Sequence, residues 1–248
     1  MIEIITSRYN PAIKETVKLY KKSYRELTGR FIIEGERLVF DAIARGVSIN
    51  RVFIDERYSG ADLPNKIAVS SEVMEYISDT KSPQGILADV SIPRYDIDDM
   101  DFSKAAVVCD GISDPGNLGT IIRTADAAGF GGVITRNCVD AFMPKTVRAT
   151  MGSIFALPIT ELTDMKKLEG INIVCAHLGS KQSLFDYKFK FPLAMVIGNE
   201  ANGVSDKMLS LCDDKFSIPM MGECESLNAA VSFGIIAYEI MKTKEVRL

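Results

Sequence analysis

A chain of 248 residues has room for one large domain or two small ones, and 47% hydrophobic with 25% charged residues is enough to close a core in water. A net charge of −4 argues mildly against a protein coated in nucleic acid, and no apolar run approaches the roughly 18 residues that span a bilayer. Five cysteines, odd in number and without a CxxC pair, read as reduced thiols of a cytoplasmic protein, not as a disulfide framework or a metal site.

The chain opens with MIEIITSRYNP, which carries an acid and no apolar h-region, so it is not read as a signal peptide. Residues 1–30 hold seven Lys or Arg against three Glu, which leaves about −8 on the rest and confines basic character to one end. Pro11 to Leu27 reads as one helix with two stripes. Ile13, Val17, Tyr20, Tyr24 and Leu27 recur at helical spacing and face a core. Lys14, Lys18, Lys21, Lys22 and Arg25 recur one position over. They are either a solvated face or a ladder of cations for a phosphate backbone.

Short alternating elements follow. Strands are expected at Phe31–Glu34, Ile49–Ile54, Ile67–Val69 and Gly85–Val90, and helices at Glu36–Arg45 and Ser71–Ile77. Together they form a small α/β unit over residues 1–92. Residues 93–103, with the acidic run Asp96 to Asp101, read as a linker.

From residue 104 the pattern is strand and helix in alternation, with strands at Ala105–Cys109, Gly132–Thr135, Ile171–Ala176, Leu193–Ile197 and Phe216–Ile218. That implies a mainly parallel sheet with helices on both faces. After the first of these strands, Asp114-Pro115-Gly116 reads as a turn, followed by a helix closed by Gly129. On that helix Leu118, Ile121, Ile122 and Ala125 form an apolar face, and Asn117, Thr120, Arg123, Thr124 and Ala127 lie opposite. One arginine just past a strand's carboxyl end is either solvent-facing or part of an anion or ribose site. His177, the only histidine, reads as structural, since no second one completes a metal site or a Ser–His pair. Gly198 and Gly203 bracket a turn in which Gly198 allows a ligand close to backbone and Gly203 allows positive φ. The final helix, Ser226 to Met241, is apolar most of the way round, with a narrow polar strip of Asn228, Ser232 and Glu239. Such a helix is covered on both sides, either within one subunit or by a second copy.

Three stretches in order, Asn117-Leu-Gly-Thr-Ile-Ile-Arg123, Ile197-Gly-Asn-Glu-Ala-Asn-Gly203, and Ile218-Pro-Met with Ser226-Leu-Asn228, resemble the motifs of the SpoU (TrmH-type) RNA 2′-O-ribose methyltransferases of the SPOUT superfamily. Gly29 to Val39 resembles the start of that family's substrate-binding domain, so the resemblance covers nearly the whole chain. It implies an α/β-knot, a trefoil-knotted and mainly parallel sheet over residues 104–248, behind a ribosomal-protein-like α/β/α RNA-binding domain. It implies a cytoplasmic homodimer joined through the C-terminal domain, with S-adenosylmethionine bound bent in the knot and no metal. Carried over by position, Arg123, Asn117, Glu200, Ser226 and Asn228 are the catalytic set, and Gly198, Ile218, Met220 and Leu227 hold the cofactor. Lys14, Lys18, Lys21, Lys22, Arg25 and Arg30 are the expected RNA contacts. Ribosomal RNA is the expected substrate, with transfer RNA as the alternative. A non-catalytic RNA-binding dimer of the same fold is the second reading. A dinucleotide oxidoreductase is the third, and it lacks the Gly-x-Gly-x-x-Gly fingerprint.

Overall fold

The computed structural model describes residues 4–60, 63 and 65–243, so the first three residues of the N-terminal stretch read above lie outside it. The chain divides into two units. One comprises Met1–Pro93 with Phe142–Phe155, and the other comprises Arg94–Ala141 with Ala156–Leu248.

The basic N-terminal stretch forms two helices, not one. Helix α1, Pro11–Lys18, starts on Asn10, whose Oδ1 accepts from Ala12 N at 2.9 Å, with Pro11 in the first turn. Helix α2, Lys22–Thr28, ends at Gly29 with φ +63°. The break falls at Leu19–Lys21, whose N–H groups tighten to i−3 bonds on Thr16, Val17 and Lys18, while side chains add further contacts. The Tyr20 hydroxyl donates to Ile77 O, and Arg25 Nη1 donates to Leu19 O at 2.7 Å. The break shifts the phase of the apolar stripe. Leu19 is buried, whereas Leu27, expected in the core, is 80% exposed.

The four strands of this unit are β1 (Arg30–Glu34), β2 (Ile49–Asp55), β3 (Lys66–Val69) and β4 (Ile86–Ser91), in the order β1-β4-β2-β3. β4 runs antiparallel to both neighbours, and β2 and β3 are parallel. Helices α3 (Glu36–Ala44) and α4 (Ser71–Ile77) alternate with them. Ile13, Leu19, Phe53, Val73, Ile77 and Leu87 share one buried cluster. A seven-residue helix from much later in the chain, α6 (Pro144–Thr150), belongs to the same unit. Its flanking rings explain why: fully buried Phe31 packs edge-on to Phe142, with centroids 5.1 Å apart, and lies 6.2 Å from Phe155.

The acidic run expected to be a linker is instead folded into the second unit. Asp96 and Asp99 form a capping box around a single turn, Ile97–Asp99, and Ile97 and Met100 are buried in that unit's core. Six parallel strands follow: β5 (Ala106–Asp110), β6 (Val133–Arg136), β7 (Ile159–Glu161), β8 (Asn172–Ala176), β9 (Leu193–Gly198) and β10 (Asp214–Phe216), in the order β10-β8-β9-β5-β6-β7. Central strands β5 and β9 are buried on both faces, as parallel strands between helices are. Helix α5, Pro115–Ala127, takes in the residues expected to be a turn. Asp114 is its cap, accepting from Asn117 N at 2.9 Å, and Pro115 sits in its first turn. Gly129 has φ +68° just past its end. Helix α8, Ala229–Thr243, packs on α5, with Phe233 edge-on to Phe130 at 5.3 Å.

Candidate active site

Order in the parallel sheet jumps between β5 and β9, and in open α/β sheets ligands lie off the carboxyl ends of strands at such a switch. A cavity of about 460 Å³ lies on the β9 side of that switch, off the carboxyl ends of β8, β9 and β10. Its wall is built from chain leaving β8 (Ala176, His177, Leu178), β9 (Ile197 to Val204) and β10 (Ser217, Ile218, Met220), together with Ser226, Leu227, Ala229 and Ser232. All four expected cofactor residues, Gly198, Ile218, Met220 and Leu227, line it, as do Glu200 and Ser226.

The turn after β9 is held from inside. Asn199 and Gly203 exchange both backbone hydrogen bonds at 2.9 Å, and Gly203 has φ +68°. A Cβ on Gly198 would sit 2.2 Å from the Gly203 carbonyl carbon and from Val204 N. The close approach that requires glycine is therefore to the protein's own backbone, not to a ligand. Asn199 adds a cap of its own: its Oδ1 accepts from Ala201 N and Asn202 N, and its Nδ2 donates to Gly111 O at 2.7 Å. Beneath this turn lies buried Asp110, at the end of β5. One of its oxygens accepts from Arg136 Nη1 at 2.6 Å and the other from Ser205 N at 2.8 Å. Two strand ends, those of β5 and β6, are thereby tied to the start of helix α7, Asp206–Leu209.

Glu200 reaches from the cavity wall to α5. Its carboxylate accepts from Ser113 N and Oγ, from Asp114 N, and from Asn117 Nδ2 at 2.8 Å. Desolvation raises the Glu200 carboxyl, but the bonds from Asn117 and from backbone N–H groups outweigh it and bring it down to about 2. The chain continues: Asn117 Oδ1 accepts from Asn228 Nδ2 at 2.9 Å, and Asn228 Oδ1 caps α8 by accepting from Ala230 N and Val231 N. The helix start expected at Ser226 thus falls at Asn228, because that side chain satisfies the first free N–H groups. Four of the five expected catalytic residues lie on this chain or on the cavity wall. Arg123 stands apart. It is exposed on α5, roughly 9 Å along the axis from Asn117 by helical rise, and is not part of the cavity wall. It makes no hydrogen bond or ion pair among the described residues.

His177, Asn199 and Asp206 also line the cavity and were not anticipated as site residues. Asn199 sits inside a motif already recognised, and its neighbours were the available signal. His177 had none, since its Nδ1 accepts from Gly179 N at 3.1 Å in a loop with no motif. All five cysteines are free, and among the described residues no group of three metal-ligating side chains occurs.

Of the expected RNA contacts, Lys14, Lys18, Lys21 and Lys22 are exposed. Arg25 and Arg30 are not free surface cations. Arg25 is 3% exposed, and Arg30 pairs with buried Asp89 at 2.9 Å and with Glu15. Both are engaged by the fold: Arg25, on α2, donates to Leu19 O, and Arg30, the first residue of β1, donates to buried Asp89.

Residues 104–238 match the SpoU rRNA Methylase family. The chain belongs to that family. Residues 10–88 match the MRM3-like substrate binding domain. Among relatives with curated names, the 23S rRNA (guanosine(2553)-2'-O)-methyltransferase RlmP of Bacillus subtilis is 32% identical, over 95% of this chain and 98% of that protein. Among solved structures, the AdoMet-bound rRNA methyltransferase of Sinorhizobium meliloti aligns with a TM-score of 0.87 at 30% identity, over 99% of each chain. The SpoU methyltransferase AviRb of Streptomyces viridochromogenes, in complex with AdoMet, aligns with a TM-score of 0.86 at 28% identity, over 95% of this chain and 98% of that one. The SpoU family match runs through the α6 segment, which packs with the first unit.

Proposed function

We propose that this SpoU-family protein transfers a methyl group from S-adenosylmethionine to a ribose 2′-OH of ribosomal RNA in the cytoplasm, as a homodimer. The observation that carries this reading is the cavity off the carboxyl ends of β8, β9 and β10, joined through Glu200 to Asn117 and Asn228. The cavity suits S-adenosylmethionine. Its volume falls in the range of roughly 300–1,000 Å³ typical of small-molecule sites. Ile197, Ile218, Met220 and Leu227 offer an apolar bed for a base, and the Glu200 and Asp206 carboxylates favour a cationic ligand at the rim. The bound cofactor supplies an activated methyl on a sulfonium sulfur.

The residues of the chain do the rest. The 2′-OH must be aligned with the methyl and relieved of its proton. Arginine stays protonated, so Arg123 is no base. It holds the RNA phosphate and stabilises the developing alkoxide, leaving phosphate or water to take the proton. Asn117, fixed by Glu200 on one side and Asn228 on the other, presents a rigid amide to the ribose or to Arg123. Ser226 lies at the same mouth.

The trefoil knot is part of the proposal, supported by β9 lying between β8 and β5 and by the return of α8 onto α5. The dimer is supported by an apolar strip on α8: Val231, Ile235 and Tyr238, spaced four and three residues apart, are 52%, 37% and 50% exposed. The cytoplasmic location is supported by the five free thiols.

The test is incorporation of labelled methyl from S-adenosylmethionine into total RNA, with mapping of the modified ribose, beside a thermal melt with and without the cofactor. Ribosomal label and a raised Tm are expected. Label in transfer RNA would move the substrate. A raised Tm without label would favour the non-catalytic RNA-binding dimer.

A further inference from the structure

We propose that the α1 face of the first unit is a stacking surface for an unpaired stretch of RNA. This rests on the proposed RNA methylation and specifies the form of substrate that the unit grips. Cations lie over aromatic rings there: Lys14 Nζ is 5.1 Å from the Tyr9 ring centroid and Lys18 Nζ is 5.6 Å from that of Tyr24. A third pair, the Arg8 guanidinium 5.3 Å from the Tyr76 centroid, joins α4 to the same stretch of chain. Tyr9 is 80% exposed and Tyr76 43%. Rings this open contribute little to the core of the unit, and the exposed ring surface that the cation does not cover is available to a base.

Most of the cations on this face lack an ion-pair partner among the described residues. Lys14, Lys18 and Lys21 make no ion pair among the described residues, and Lys22 meets only Glu26, at 3.5 Å in an exposed contact. Glu15, the acid within α1, is turned inward. Hydrogen bonds from Arg51 and Arg30 hold its carboxyl below the ordinary range, so it is committed to the fold. Glu72 and Glu75 share α4 with Tyr76. A duplex would need only the lysines, because its bases are already stacked on each other and present no faces. Cations interleaved with open tyrosines match a single strand, whose phosphates and bases alternate.

The experiment uses the full chain with S-adenosylmethionine present and follows fluorescence anisotropy of a labelled, unstructured RNA oligonucleotide. The comparison is the same strand annealed to its complement. The unpaired strand should bind at least about tenfold more tightly. Tyr9→Leu should weaken it by about tenfold, the lower part of the range for one lost base stack, and leave the duplex within about twofold. Lys14→Ala with Lys18→Ala should reduce the slope of log affinity against log salt by about 1.4 for the single strand. An unchanged Tm shows that each variant folds. Equal binding of the two RNAs overturns the proposal, as does Tyr9→Leu with Tyr76→Leu leaving the single strand unaffected, whether the lysines still act on phosphates or not. Cofactor binding measured by calorimetry on the same proteins separates the two readings. Lost strand preference with cofactor binding intact counts against this surface, whereas absent cofactor binding counts against the methyltransferase reading.

Discussion

Arg123 is the residue on which the proposed chemistry turns, and its setting makes it testable. It is exposed, without a partner among the described residues, and away from the cavity wall, so removing it disturbs neither core nor cofactor pocket. Arg123→Ala should lower methyl transfer by about 10²-fold or more, the scale of a lost oxyanion-type donor, with cofactor affinity within about twofold by calorimetry. Arg123→Lys should not restore the rate if a planar, bidentate contact to phosphate is what matters. Glu200 makes a prediction about pH. Its carboxyl stands at about 2 against an ordinary 4.5, so the contribution of its ionised form is complete above about pH 4.5 and is lost as pH falls through about 2. Glu200→Gln should therefore lower Tm at pH 7. The gap to the unmodified protein should hold down to about pH 4.5 and close below it. A gap that closes above pH 5 would assign the effect to other groups.

Among elements, the turn after β9 depends on the Asp110–Arg136 pair beneath it. Asp110 is 2% exposed, and its loss leaves Ser205 N without its side-chain acceptor and the Arg136 guanidinium without its counter-charge, with only Ser205 Oγ, among the described residues, still accepting from it at 3.2 Å. Asp110→Ala should cost about 3–5 kcal/mol in urea unfolding, typical of breaking a buried pair. The elements also show what was legible in the sequence. The parallel strands β5, β8 and β9 could be read because burial on both faces demands runs such as Val107-Val108-Cys109 and Ala194-Met195-Val196. β7 was missed: three residues, Ile-Thr-Glu, at a sheet edge carry no periodic signal. The α1–α2 break was missed because neither Gly nor Pro marks it. Tyr20 and Arg25 make side-chain contacts at it, to Ile77 O and Leu19 O, that the local sequence does not announce. In the site, Gly198, Ile218 and Leu227 could be placed by motif, whereas the Asn228–Asn117–Glu200 chain joins residues 111 and 83 positions apart, and no spacing rule connects them.

For the whole molecule, the proposed dimer places the apolar strip of α8 against a second copy. Ile235→Glu with Tyr238→Glu should convert a two-chain species to one of 27.3 kDa in sedimentation velocity while leaving the circular dichroism unchanged. A two-chain species that survives both changes would put the interface elsewhere. The passage of residues 142–155 into the first unit has a practical consequence for anyone who would take the protein apart. The main chain leaves that unit near Pro93, comes back for a single short helix, and leaves again. The polypeptide crosses between the two units three times, and a cut at one crossing does not free a complete module. A fragment ending at Pro93 would strip Phe31 of both its ring neighbours and open a greasy hole beside β1. Any graft of the first unit onto another scaffold must carry both pieces of the polypeptide.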